Sequence, residues 1–480
     1  MYILYKIKFF IVFVSLFIFG CAYNHKPVDQ KIADLQSNKL EEKFLNKINY
    51  LKDLDANEKS KNYLLLLQEA GRVAFIINDT NTSVNKFNNA IAFYAQQEDI
   101  AKINLKSVKN KVLASTIADD NSLQYLGSDY ERALVHFYQA LNYLKLNDLE
   151  KSMVEIRATN DSQKLAIANR ENKIDKTEAN ISKYQFSSDI NLYLKESQQI
   201  RGSLKEKFLN PYIYYISGNI RELNGDVNGA LVDYKNAYEI NYNNDSILQD
   251  LLRLSQKNDN TFYNTIIKNN PNIDFKDQNE YKNSKTLLIV YEDQFIQKKI
   301  AKTGSVYLFE FNRYVKISLP VYENSSKSSS PYINFNNNNI VLDDLTNIGL
   351  LANNELSENY SAILLRQITR LTTKLTMQNS YQRVNDKSQG AQIAGTAVAI
   401  AGAISSAVEK ADTRSFETLP QYVKVAKINT NEDMSNIEVY SNGRKIKVDN
   451  LNLKNGEIAI LYIIDSGNYI YHNIIYKGLK

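Results

Sequence analysis

The chain has 480 residues, a formal net charge of +5, 44% hydrophobic and 23% charged residues, and one cysteine. That length suffices for two or three domains with their own cores, and the balance is that of a globular protein rather than a disordered or fibrous one. So small a charge on so long a chain points away from nucleic acid, and a lone cysteine excludes a disulfide within the chain.

Lys6 and Lys8 precede an apolar run from Phe9 to Phe19, and the run ends at Ile18-Phe19-Gly20-Cys21. A positive start, a short apolar segment and a small residue before cysteine read as a signal peptide over 1–20. The ending resembles a bacterial lipobox, with Phe19 bulkier than the usual occupant. The run is too short to span a bilayer core of about 30 Å. Cys21 is therefore the predicted lipidation site, where acyl chains such as palmitate anchor by about 0.8 kcal/mol per buried CH₂. Ala22, in place of Asp, points to the outer membrane of a Gram-negative bacterium, with the protein on its periplasmic face. Residues 21–59 read as a lipid-anchored tether and an irregular helix.

Residues 60–270 carry an internal repeat. Gly71 is followed by Ser83, Phe87 and Ala90, at offsets of 12, 16 and 19. The same offsets link Ala140 to Ser152, Ile156 and Thr159, and Gly218 to Ala230, Tyr234 and Ala237. Small residues let one helix approach the next and the aromatic fills the groove between them. The spacing resembles tetratricopeptide repeats, with Tyr214 where that family usually has Trp and without its closing Pro. Short turns, "LND" at Leu146–Asp148 and "NGD" at Asn224–Asp226, separate the helices. The polar stretch 160–208 alternates in charge and reads as a solvated helix pair.

After Pro271 the pattern changes. "KTLLIVYED", "SVYLFEF" and "YVKISLPVYE" read as strands, and "ENSSKSSSPYINFNNNN" as a mobile polar loop. Ser361–Met377 has helical apolar spacing. Ala391–Val408 is an uncharged stretch with small residues every fourth position. It is about 27 Å long as a helix, marginal for a bilayer. It reads as part of an Ala/Gly-rich helix over 388–411 buried against Ser361–Met377 and a sheet, the alternative being an oligomer contact or a helix that swings out to a membrane. "IEVYSNGRKIKV" predicts a hairpin turning at Asn442-Gly443, and Asn455-Gly456 predicts a second. The fold class is therefore multidomain: an N-terminal all-α array of tetratricopeptide-like repeats, then a C-terminal α/β domain with antiparallel strands over 284–480.

Motifs for phosphate binding, metalloprotease, hydrolase or redox chemistry are missing from the sequence. No catalytic residue, metal ligand or cofactor is predicted. Of the three histidines, His136 lies on a repeat helix, His472 on a strand and His25 beside the anchor. Asp412, Arg414 and Glu417 in "ADTRSFETLP" read as a structural corner, an ion pair fixing the preceding helix to the β domain before Pro420.

Three stretches, "DYERALVHFYQALNYL", "SLPVYE" and "ADTRSFETLPQ", occur in that order. With the lipobox they resemble a family of uncharacterised bacterial outer-membrane lipoproteins with tetratricopeptide-like repeats. The resemblance spans nearly the whole mature chain and implies a role near envelope assembly or maintenance, with no catalytic residues. The resulting expectation is a non-enzymatic scaffold whose concave repeat face binds an envelope protein. It would contact the membrane through Cys21, and it would have no nucleic-acid partner. The alternative is an enzyme acting on cell-wall or envelope polysaccharide with acids in the α/β domain.

Overall fold

The computed structural model describes residues 58–104, 120, 123–171, 181–203, 209–271, 275, 278–385, 409–434, 436–448, 451–467 and 470–480. The leader, Cys21, the tether and Ala391–Val408 lie outside the described residues. Helix α1 (Tyr63–Ile76) pairs with α2 (Thr80–Asn104), and α3 (Asp129–Lys145) with α4 (Leu149–Glu171). After α5 (Ser188–Ser203), α6 (Pro211–Leu223) pairs with α7 (Val227–Ile240), and α8 (Asp245–Asn258) with the shorter α9 (Asn260–Asn269).

The first three of these helix pairs turn by one device. Asn78, Asn147 and Gly225 adopt left-handed backbone, with φ of 67°, 56° and 74°. Each is followed by an aspartate that caps the next helix. Asp79 accepts from the Thr82 amide, Asp148 from that of Lys151 and Asp226 from that of Gly229. Left-handed residues end one helix cheaply when they are Asn or Gly, and Asp satisfies an orphan amide at the start of the next.

A short helix, α10 (Gln278–Asn283), leads into the sheets. The largest has five strands in the order β12 (Ile470–Leu479), β11 (Glu457–Asp465), β2 (Lys285–Phe295), β8 (Pro420–Thr430) and β7 (Asp343–Asn347). A second joins β1 (Gln185–Phe186), β3 (Lys299–Leu308) and β4 (Arg313–Tyr322). A third runs β10 (Arg444–Val448), β9 (Ile437–Ser441), β5 (Tyr332–Phe335) and β6 (Asn338–Val341). Helix α11 (Ile348–Asn385) follows β7 directly and packs on β4 and β8. Its Gln367 brackets the backbone of Ser318 on edge strand β4, accepting from the amide at 3.0 Å and donating to the carbonyl at 2.6 Å. A side chain used this way blunts an open sheet edge.

Strand β2 is buried on both faces. Leu288 and Val290 join the helical core, whereas Leu287, Ile289 and Tyr291 join a second core shared with β5, β9 and β10. The first core is continuous from α1 through α8 to β2, β8 and β11. Thus α1, α3, α6 and α8, the first helices of their pairs, rest on one face of the five-stranded sheet.

Several expectations need correction. The strands are not all antiparallel: β2 and β11 pair in parallel, Thr286 opposite Ile458 through Asp293 opposite Asp465. The helical half is not purely α, since β1 pairs with β3. The Asn-rich loop contains the β5–β6 hairpin, turned by Asn336 and Asn337 at φ 49° and 64°. Asn455-Gly456 is a turn without a strand before it, and β11 pairs instead with β12. Residues 409–411, expected to end a helix, are not helical. The first helices of the pairs, α1, α3, α6 and α8, contact the chain's own five-stranded sheet.

Candidate functional site

The repeat positions meet across their hairpins. A Cβ on Gly71 would lie 2.8 Å from the Phe87 ring, and one on Gly218 would collide with the Tyr234 ring. Ser83 donates to the Gly71 carbonyl at 2.8 Å, and Ser152 to that of Ala140 at 2.9 Å. In the third hairpin Ala230 takes the serine's place. Phe87, Ala90, Ala140, Ser152, Ile156, Thr159, Ala230, Tyr234 and Ala237 are all fully buried.

Between helices and sheet lies a polar network. Arg72 on α1 is 0% exposed and forms an ion pair with Glu292 on β2, 1% exposed. The other Glu292 oxygen accepts from Tyr138 on α3 at 2.8 Å and from Tyr212 on α6 at 2.9 Å. The Arg72 guanidinium stands 4.2 Å from the Tyr138 ring centroid and donates to the Thr418 carbonyl. Burial pushes Arg72 down, but the Glu292 carboxylate outweighs it and holds the guanidinium above its ordinary value. One carboxylate thus gathers three helices onto β2.

A second knot joins α6 and α8 to β8. Asp250 accepts from Lys427 at 2.8 Å, from Arg253 at 2.9 Å and from Tyr215 at 2.8 Å. Burial pushes Asp250 up, yet Lys427 and Arg253 more than offset this and hold it below the usual carboxylate range. Arg253 also bonds Glu222 at 2.6 Å.

The segment 409–419 threads between the halves. Arg414, 1% exposed, pairs with Asp412 at 2.6 Å and donates to Asn62 and to the Leu123 carbonyl, both at 3.0 Å. Its anchorage is therefore on the helical array. The Phe416 amide donates to Glu131 at 3.1 Å, while the Glu417 amide and Thr418 hydroxyl donate to Glu69, each at 2.6 Å. Burial above all carries the Glu69 carboxyl up to about 8. Glu417 itself is 6% exposed. Sequence reading missed Arg72, Glu69 and Glu292. The available signal was charged residues inside otherwise apolar stretches, "QEAGRVAFI" and "LLIVYED".

His136 bonds Glu155 at 2.7 Å, which ties α3 to α4. Among the described residues no group of three or more His, Cys, Asp or Glu is arranged to hold a metal, and no helix is long and apolar enough to cross a membrane.

Two features face solvent. The first is a cavity of about 150 Å³ where α11 begins, walled by the ends of β2, β4 and β7 and the start of β8. Gln421, 4% exposed, donates to Asn347 Oδ1 at 3.1 Å, and the same oxygen caps the Leu350 amide at 2.9 Å. The amide of Gln421 sits where a Cβ on Gly349 would be. The second is the tip of the β3–β4 hairpin. The Tyr307 ring contacts Phe309 and Tyr314 at 5.0 and 4.9 Å between centroids, with Phe309 57% and Tyr314 62% exposed.

No family model matches the chain, and no curated protein matches it. Among solved structures, a tetratricopeptide repeat protein from Parabacteroides merdae aligns with 48% of this chain and 100% of its own, at 15% identity and a TM-score of 0.12. A score that low carries no argument about this fold.

Proposed function

We propose that the chain is a non-enzymatic scaffold, lipid-anchored through Cys21 on the periplasmic face of the outer membrane, that binds an envelope protein through the aromatic tip of the β3–β4 hairpin. The observation that carries this reading is the filled inner face of the helical array. With α1, α3, α6 and α8 committed to the sheet, a partner must dock elsewhere. The tip supplies clustered aromatics, Tyr307, Phe309 and Tyr314, ringed by exposed Glu310, Arg313 and Lys316. Aromatic centres with a polar, charged rim are the usual make-up of protein interfaces. Aromatic side chains bury about 150–250 Å² each. Half-exposed ones offer a few hundred Å², the core of a transient contact rather than an obligate one.

The enzyme alternative loses its best acids. Asp293 and Asp465 are register partners on β2 and β11, but they are 0% and 1% exposed. Asp465 is neutralised by Arg444 at 2.6 Å and bonded by Tyr291 at 2.6 Å. Asp293 accepts from the Ser329 amide at 2.7 Å. Asp465 is spent on holding strands together, and Asp293 holds Ser328 and Ser329 through Oδ2.

A photo-crosslinking residue at position 309, compared with one at exposed Val154 on α4, tests the docking surface in cells. A discrete protein adduct is expected at 309 and not at 154, and a Tyr314→Ser change should remove it. Adducts at 154 alone would move the partner to the outer helices. Palmitate labelling that survives Cys21→Ser would remove the anchor from the reading.

A further inference from the structure

We propose that the cavity at the start of α11 binds one neutral, hydroxyl-rich ring, a ligand of monosaccharide size. The cavity measures about 150 Å³. Sites for drug-sized ligands run to about 300–1,000 Å³, so this one suits a single ring rather than a chain or a nucleotide. Its lining is dominated by amides: Gln297, Asn324, Asn347, Asn353 and Gln421, with Glu323 as the one charged side chain. An amide offers a donor and an acceptor side by side. Adjacent hydroxyls present the complementary pair, each able to give and to take.

The polar groups are available. Gln421 is 4% exposed, and its Nε2 is spent on Asn347. Its Oε1 accepts no hydrogen bond from a described residue, although it borders the cavity. Nor do the side chains of Asn353, Asn324 and Glu323 bond to another described residue. An amide oxygen that faces a cavity with no protein donor can accept from a ligand hydroxyl. Tyr322, 9% exposed, and Leu350 supply the apolar wall against which a ring can lie.

Charge separates this ligand from others. The lining carries no cationic side chain, and Glu323 repels an anion. A phosphate or carboxylate ligand therefore has nothing to neutralise it. An amine would find Glu323 alone, and would leave the donor halves of the amides unused. A neutral polyol uses both halves.

The test is saturation-transfer NMR on the full-length chain with glucose and N-acetylglucosamine as probes, and with inorganic phosphate and ethylammonium as competitors. Asn353→Leu removes an amide that holds nothing else, and Gly349→Ala displaces the Gln421 amide. Millimolar binding of at least one sugar is expected. It should weaken roughly tenfold in Asn353→Leu, the equivalent of about 1.4 kcal/mol, with the melting curve unchanged. Gly349→Ala should weaken it too; if that variant fails to fold, Asn353→Leu decides. Absence of sugar binding, binding indifferent to Asn353→Leu, or displacement by phosphate or ethylammonium would each overturn the proposal. Because this test reads no protein partner, its failure leaves the scaffold reading standing, and the reverse holds as well.

Discussion

Replacing Arg72 with Met strands the Glu292 carboxylate 1% exposed, with two tyrosine hydroxyls as its remaining partners. Replacing Glu292 with Gln leaves the Arg72 guanidinium just as isolated. Breaking a buried ion pair from one side costs about 3–5 kcal/mol, because a charge stays behind without compensation. The stacking of Arg72 on Tyr138 adds to the first loss, since a desolvated cation over a ring is worth up to about 2 kcal/mol. Against a total stability of about 5–15 kcal/mol, either change takes a large share. The double variant Arg72→Met/Glu292→Gln buries no charge, so its loss should fall short of the sum of the singles by at least about 2 kcal/mol. Urea unfolding gives the values. Circular dichroism at 222 nm follows the helices, and tyrosine fluorescence reports tertiary packing in a chain with 33 Tyr and no Trp. In the wild type both signals should trace one transition, since one carboxylate joins α1, α3 and α6 to β2. Strictly additive losses, or helices that melt apart from the sheet in the wild type, would refute the reasoning.

Two further outcomes follow from single buried positions. Glu69 titrates near 8 in the fold, burial being the main cause, against about 4.3 in an unfolded chain. Between those values the folded state keeps a proton that the unfolded state has released. Stability is therefore greatest below the window and falls as pH rises through it. Glu69→Gln mimics the protonated form, accepting from the Glu417 amide and donating to Thr418. It should flatten the pH dependence of the urea midpoint between about pH 5 and pH 8, and an undiminished slope in this variant would contradict the assignment. Ala230, 0% exposed, has no room for a larger side chain. Ala230→Leu should cost about 1–3 kcal/mol, whereas the same residue at Val232, 56% exposed, should change stability by less than about 0.5 kcal/mol. Equal melting temperatures for the two would count against the hairpin packing.

What could be read from the sequence was local. The offsets from Gly71, Ala140 and Gly218 fall on hairpins because a helix pair with a short turn fixes them within twenty residues or so. Asn442-Gly443 marks the β9–β10 turn for the same reason, as both residues take left-handed backbone, with φ of 48° and 74°. The Asn336-Asn337 turn uses the same conformation, but a polar run hid the alternation of Tyr332, Ile333 and Phe335 around it. The parallel pairing of β2 with β11 joins segments far apart in the chain, and no neighbouring residue encodes it. A hint existed in the unbroken apolar run "TLLIVY", since strands buried on both faces lose their alternation. The amide-lined cavity drew on four separate strand ends, and its residues carry no common spacing. Charged side chains in apolar stretches, Arg72 and Glu292 above all, were legible as anomalies but not as partners, because 220 positions separate them.

Asn473, on the last strand, donates to the carbonyls of Phe75 at 2.9 Å and Ile76 at 3.4 Å, where the first described helix runs out. Residues 398 positions apart thus finish one helix end. A chain emerging N-terminus first leaves the end of α1 open until β12 has appeared, long after β2, β7 and β8. Closure of that helix end must wait for β12. Arg72 gains its counter-ion only when β2 appears, and until the sheet forms the apolar sides of α1, α3 and α6 are open to wrong partners, the circumstance in which late-closing topologies aggregate. Loss of β12 would therefore injure the fold 398 positions away, leaving the first hairpin without the strand that closes it.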